Sequence, residues 1–154
     1  MSEATRPAPD LQVLPSFLQH IGVYDLEVEQ GQAKVRLTFD DQRHANGIGV
    51  AHGGVICTLL DVVMGYSAFS WGGDYKPIVT VDQSVQFMGS LRGAVQAQGR
   101  VTRGGRSLIY CSAEILDDAG EWIASGIGTF KRVERTLEQH TGSHRAPMES
   151  EQHG

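Results

Sequence analysis

One carboxylate stands alone in an apolar stretch of this chain. Asp61 lies in the run Val55-Ile56-Cys57-Thr58-Leu59-Leu60-Asp61-Val62-Val63-Met64, shortly after His52-Gly53-Gly54. Read as a helix, the run is apolar on nearly every face and is expected to be buried, where an ionised carboxylate is costly unless paired or solvated. Ionisable groups kept in such places are candidates for function. The two glycines supply a helix start whose first N–H groups lack partners within the helix, which is an oxyanion-binding device. A carboxylate and an oxyanion hole are the two parts needed to hydrolyse an acyl bond. The blander reading of Asp61 is a helix-interior acid hydrogen-bonded to a neighbouring sheet. Cys57 is a rival nucleophile, but its neighbours Val55, Ile56 and Leu60 suit an inert core thiol.

Bulk properties narrow the field. A chain of 154 residues is one domain by length, with enough material for a core. The net charge of -5 comes without a basic block, which argues against nucleic acid as a partner. No charged leader and no membrane-spanning run is expected. Two cysteines, Cys57 and Cys111, are too few for a disulfide framework, and no ligand spacing suggests a metal. The chain reads as cytoplasmic, with both thiols reduced.

The elements that position Asp61 follow from periodicity. Residues 1–12 form a flexible arm with Pro7 and Pro9, and residues 15–20 a short helix with Pro15 near its first turn. Residues 23–29 read as a strand, and Gly31 turns into a second one, where Ala33, Val35, Leu37 and Phe39 alternate with polar residues. A polar loop over residues 40–51 carries His44, Asn46, Gly47 and Gly49, and the apolar helix then runs from about Gly53 to Phe69, ended by Gly72-Gly73. Beyond it the pattern is all strand. Over residues 78–88, Val79, Val81, Val85 and Phe87 share one face and Thr80, Asp82, Ser84 and Gln86 the other. Residues 94–101 alternate again, Gly104-Gly105 marks a two-residue hairpin into residues 106–116, and Asp117 to Gly120 turn into a last strand over residues 121–133. Two strands, one buried helix and four further strands make an α+β architecture. Residues 134–154 are polar, His-rich and aperiodic and are expected to be disordered.

Asn46-x-x-Gly49-x-x-His52-Gly53-Gly54, followed by Asp61, Val79-Thr80-Val81-Asp82 and Phe87, resembles the hotdog-fold acyl-CoA thioesterases, and within them the PaaI-like, phenylacetate-degradation-type branch. The similarity covers residues 13–133. The resemblance implies an antiparallel sheet wrapped around one long central helix, a homodimer whose sheets join, and a homotetramer built as a dimer of dimers. Spacing adds an argument for the dimer. At about 1.5 Å of rise per residue, Asp61 lies about 12 Å along the helix from Gly53. One carbonyl cannot touch both within a protomer, because each group must come within about 3 Å of the reacting atoms. Two antiparallel helices about a two-fold axis would bring Asp61 of one chain to the partner's Gly53, and a monomer should be inactive.

On that resemblance the Gly53 N–H holds the thioester carbonyl and the developing oxyanion, with Gly54 shaping the turn. Asp61 attacks the carbonyl or acts as general base on water. Asn46 binds the carbonyl or the water, Thr80 orients that water, and His52 fixes the loop. No metal or redox cofactor is required. Coenzyme A phosphates call for positive charge, for which the turn Arg103-Gly104-Gly105-Arg106-Ser107 is the candidate, with Arg92, Lys131 and Arg132 behind it. Tyr66 and Phe69 are candidates for lining an aryl- or medium-chain acyl pocket, with Phe17 or Leu18 from the N-terminal segment. Three structural readings compete with these roles. Asn46 can be a turn residue needing positive φ, Thr80 an ordinary strand residue, and the arginines solvated strand-end charges. Two other functions compete: an acyl-CoA-binding or sensing module without turnover, and a hotdog hydratase, whose acid–histidine pairing this chain does not match.

Overall fold

A computed structural model of the chain describes residues 9–134. The first eight residues of the expected arm, and the expected tail beyond Glu134, lie outside the described residues. The chain begins with α1 (Ser16–Ile21), β1 (Val23–Glu29) and β2 (Gln32–Thr38), then α2 (Asp41–His44) and the long α3 (Gly53–Ser70). Four strands follow: β3 (Ile78–Phe87), β4 (Ala94–Gly104), β5 (Leu108–Asp117) and β6 (Trp122–Arg132). They form one sheet in the order β1-β2-β4-β5-β6-β3, every neighbouring pair antiparallel.

The sheet curls over α3 because its strands alternate. Ala33, Val35 and Leu37 of β2, Val95 and Ala97 of β4, and Ile109, Ala113 and Ile115 of β5 all face inward and are buried. They meet Leu59, Leu60, Val63 and Met64 of α3, none of which retains exposed surface. Each such side chain contributes about 1.5–3 kcal/mol by leaving water. The helix backbone presses directly on β4 at Gly99, where a Cβ would stand 2.7 Å from the Val63 carbonyl group. Only glycine allows that approach.

The helix is not buried all round as its composition suggests. Val55, Cys57, Asp61, Val62, Tyr66 and Phe69 stay partly exposed, since this sheet covers one side of α3 only. With 18 residues and a mean hydropathy of 1.4, α3 is long and apolar enough to cross a bilayer, against the expectation that no run was. Its packing identifies it as the core helix of this fold.

Three local details differ from the periodicity. The polar loop contains α2, started by Asp40, whose carboxylate accepts the N–H groups of Gln42 and Arg43. The β4–β5 hairpin has three loop residues, 105–107, rather than two. Strand β3 carries a bulge at Val81, the extra residue between the pairs Thr80–Phe130 and Asp82–Thr129. That bulge breaks the assignment of Val79, Val81, Val85 and Phe87 to one face: Thr80 and Gln83, three residues apart, both reach α3.

Candidate active site

Strand β3 runs antiparallel to α3, beside the helix row Gly53, Cys57, Asp61 and Gly65. Ile78 lies against Gly65, Thr80 bonds Asp61, Gln83 reaches Cys57 and the Phe87 ring covers Gly53. The Thr80 hydroxyl donates to Oδ1 of Asp61 at 2.9 Å, and the Gln83 amide donates to the Cys57 carbonyl at 3.4 Å. Asp61 is therefore hydrogen-bonded to the sheet, as the blander reading has it. It also opens on a cleft. Among the described residues it forms no ion pair, and its second oxygen has no protein donor. A half-exposed carboxylate with one oxygen anchored and the other free is placed to take a proton or to attack.

The cleft beside Asp61 holds about 300 Å³ and is walled by Val62, Tyr66, Phe69, Ile78 and Phe130, with Thr80 at its edge. Burial pushes the Tyr66 phenol up, so it stays neutral in this apolar wall. Phe69 meets Tyr66 and Tyr75 edge-on, at 6.4 and 5.6 Å between centroids. Such a space takes an apolar group whose reacting end points at Asp61. Neither N-terminal candidate lines this protomer's cleft: Phe17 is 59% exposed, and Leu18 is buried in the core. Phe130, from the last strand, is the wall residue that sequence did not single out; as a buried strand residue it looks like any other core position.

The start of α3 is built as a donor. The His52 ring, at the N-cap, accepts the Gly54 N–H on Nδ1 at 2.9 Å, and the His52 carbonyl accepts the Val55 N–H at 2.9 Å. The Gly53 N–H between them has no acceptor among the described residues. With its Nδ1 accepting, His52 caps the helix and is not poised to take a proton there. In the preceding loop Oδ1 of Asn46 accepts the N–H groups of Ile48 and Val50, and its main-chain N–H donates to the Val50 carbonyl. Its side-chain amide NH2 has no acceptor among the described residues. Asn46 does not adopt positive φ; Gly49 does, at 76°.

The basic hairpin is a separate region. Arg103, Gly105 and Ser107 border an open groove of about 610 Å³ with Leu108 and Tyr110, while Arg106 lies exposed in the loop. This groove shares no lining residue with the Asp61 cleft. Gly104 has a packing reason instead, because a Cβ there would overlap the Trp71 indole. Arg132 is not a free cation: it donates to the Trp71 carbonyl at 2.9 Å and pairs with Asp74 at 3.4 Å. Arg92 and Lys131 are exposed. Of the two thiols, burial pushes that of Cys111 up to about 12, while Cys57 is partly exposed and meets Gln83 through its main-chain carbonyl.

The sequence profile of the thioesterase superfamily matches residues 48–123, from the loop before α3 to the start of β6. "Putative esterase PA0474" of Pseudomonas aeruginosa is 34% identical over 92 residues, which are 58% of this chain and 68% of that protein. Conserved protein PA5202 of Pseudomonas aeruginosa superposes with a TM-score of 0.73 at 28% identity, over 78% of this chain and 95% of that one. The PaaI protein of the E. coli phenylacetic acid degradation operon shares the fold, with a TM-score of 0.71 at 22% identity over 77% and 85% of the two chains. The sheet wrapped on one helix is their hotdog fold.

Proposed function

Because the chain belongs to the thioesterase superfamily, we propose that it hydrolyses an aryl- or medium-chain acyl-CoA to the free acid and coenzyme A. The observation that carries this reading is the pairing, on one helix, of an unpartnered N–H at Gly53 with a half-free carboxylate at Asp61 beside an apolar cleft. The acyl group enters the cleft, and its carbonyl oxygen accepts the Gly53 N–H. Water then adds to the carbonyl carbon as Asp61 takes its proton, the oxyanion resting on Gly53. Collapse breaks the carbon–sulfur bond and expels the thiolate, a leaving group stable enough to need little help from an acid. In the variant route Asp61 itself attacks, and water hydrolyses the resulting anhydride.

The helix separation of about 12 Å supports a site whose two groups at any one carbonyl come from different protomers. The working unit in this reading is a homodimer, assembled further into a tetramer, acting in the cytoplasm without metal or redox cofactor. Asn46 donates to the carbonyl or to the attacking water, and Arg103, Arg106 and Ser107 meet the coenzyme A phosphates.

A thiol-detecting assay of wild type and Asp61→Ala against aryl and straight-chain acyl-CoAs tests the reading. Turnover by wild type, lost in a folded and dimeric variant, supports it, and the panel names the acyl class. Binding without thiol release would sink hydrolysis in favour of a sensing role.

A further inference from the structure

Three helix ends meet at one buried histidine that the mechanism above does not use. His44, the last residue of α2, is 2% exposed, and its ring lies beside Phe39 at 6.2 Å between centroids. Its Nδ1 accepts the main-chain N–H of Asp40, the N-cap of α2, at 2.8 Å. An accepting Nδ1 carries no proton, so Nε2 holds it and donates to the Ile21 carbonyl, 2.7 Å away. Ile21 closes α1, and its carbonyl is one that a helix end leaves without an internal partner. The ring is thus the neutral Nε2–H tautomer, fixed by a donor on one edge and an acceptor on the other. The main-chain carbonyl of His44 in turn accepts the N–H of His52, the N-cap of α3, at 2.7 Å.

We infer that His44 is a positioning residue for the Gly53 oxyanion donor, an assignment that rests on the thioesterase reading. The donor N–H belongs to the peptide joining His52 to Gly53. Among the described residues, every other hydrogen bond of His52 stays inside the turn: its ring to Gly54 and its carbonyl to Val55. The bond from the His52 N–H to His44 leads out of it, and the His44 ring continues that link to α1 through Ile21. A donor peptide must be held to a fraction of an ångström, and a shift of about 1 Å can cost on the order of 10² in rate. No other side chain reproduces both ring nitrogens: an asparagine reaches the Nδ1 position, a glutamine the Nε2 position, and a leucine fills space with neither.

The test uses the full chain and reads two things, thiol release and NMR. In wild type the imidazole nitrogen signals should identify His44 as the Nε2–H tautomer, and the His52 amide should exchange slowly. His44→Leu should lower kcat by about 30–100-fold with KM within about threefold, and speed His52 exchange at least about tenfold. His44→Gln, which restores the bond to Ile21, should recover part of both. Val95→Ala, a buried β4 position outside the site, supplies a variant of comparable instability that keeps kcat and His52 protection. A cationic or Nδ1–H ring overturns the proposal, as does His44→Leu with kcat and exchange unchanged, or a matching loss in Val95→Ala. Should wild type release no thiol from any acyl-CoA, the thioesterase reading falls by itself. Rapid His52 exchange in His44→Leu would then still support the anchoring of the turn, and unchanged exchange would refute it.

Discussion

Along α3 the inward face carries Leu59, Leu60, Val63 and Met64, each without exposed surface, whereas the row along β3 carries Gly53, Cys57, Asp61 and Gly65, all partly exposed. The inward residues are large and close-packed against the sheet, so any loss of volume leaves a cavity. The row along β3 is small except for its one acid, which leaves room beside the carboxylate. One helix thus holds the fold with one side and presents the candidate site with the other.

Changes confined to one side should separate rate from stability. Asp61→Asn keeps the shape and the bond from Thr80 but removes the charge. It should lower kcat about a thousandfold, on the scale of a lost essential catalytic group, while calorimetry shows a Tm within a few degrees of wild type. Leu59→Ala, on the inward face, should cost about 2–5 kcal/mol in denaturant unfolding. Its kcat should stay within about twofold of wild type where it remains folded; a large loss would mean that the two sides are coupled. Gly99→Ala is the change that crosses between them, since its Cβ strikes the helix backbone at Val63. It should cost about 1–3 kcal/mol and, by moving α3 relative to β3, slow turnover as well. The smallest effect is expected for Thr80→Val, about tenfold in kcat, or about 1.4 kcal/mol, with unfolding unchanged.

Much of this arrangement was legible from residue order. Strand β1 occupies residues 23–29, as its bounding Gly22 and Gly31 implied, and α3 opens at Gly53 because the glycines and His52 mark a helix start. The strands β2 and β4 followed from their alternation, and the wrapping of the sheet around α3 from the family resemblance. What stayed hidden depends on distant partners. Arg132 reads as an available cation until Asp74 and the Trp71 carbonyl are seen beside it, 58 and 61 residues away in the chain. Gly104 reads as a turn glycine, yet its neighbour is an indole from the end of α3. His44 lay in plain view two residues before Asn46, but a short capped helix inside a polar loop has no periodicity to announce it. The two sides of α3 were also indistinguishable by composition, because both are rich in apolar residues.

The bulge at Val81 makes residue count matter more than residue identity at that point of β3. On either side of it β3 keeps opposite phases, so Thr80 and Gln83 reach the helix together only while one surplus residue lies between them. Substitution at Val81, which is 55% exposed, leaves that count intact. Loss or gain of a single codon there would exchange inward for outward side chains along half the strand. A different side chain at residue 81 therefore preserves the phase of β3, whereas removing the residue does not.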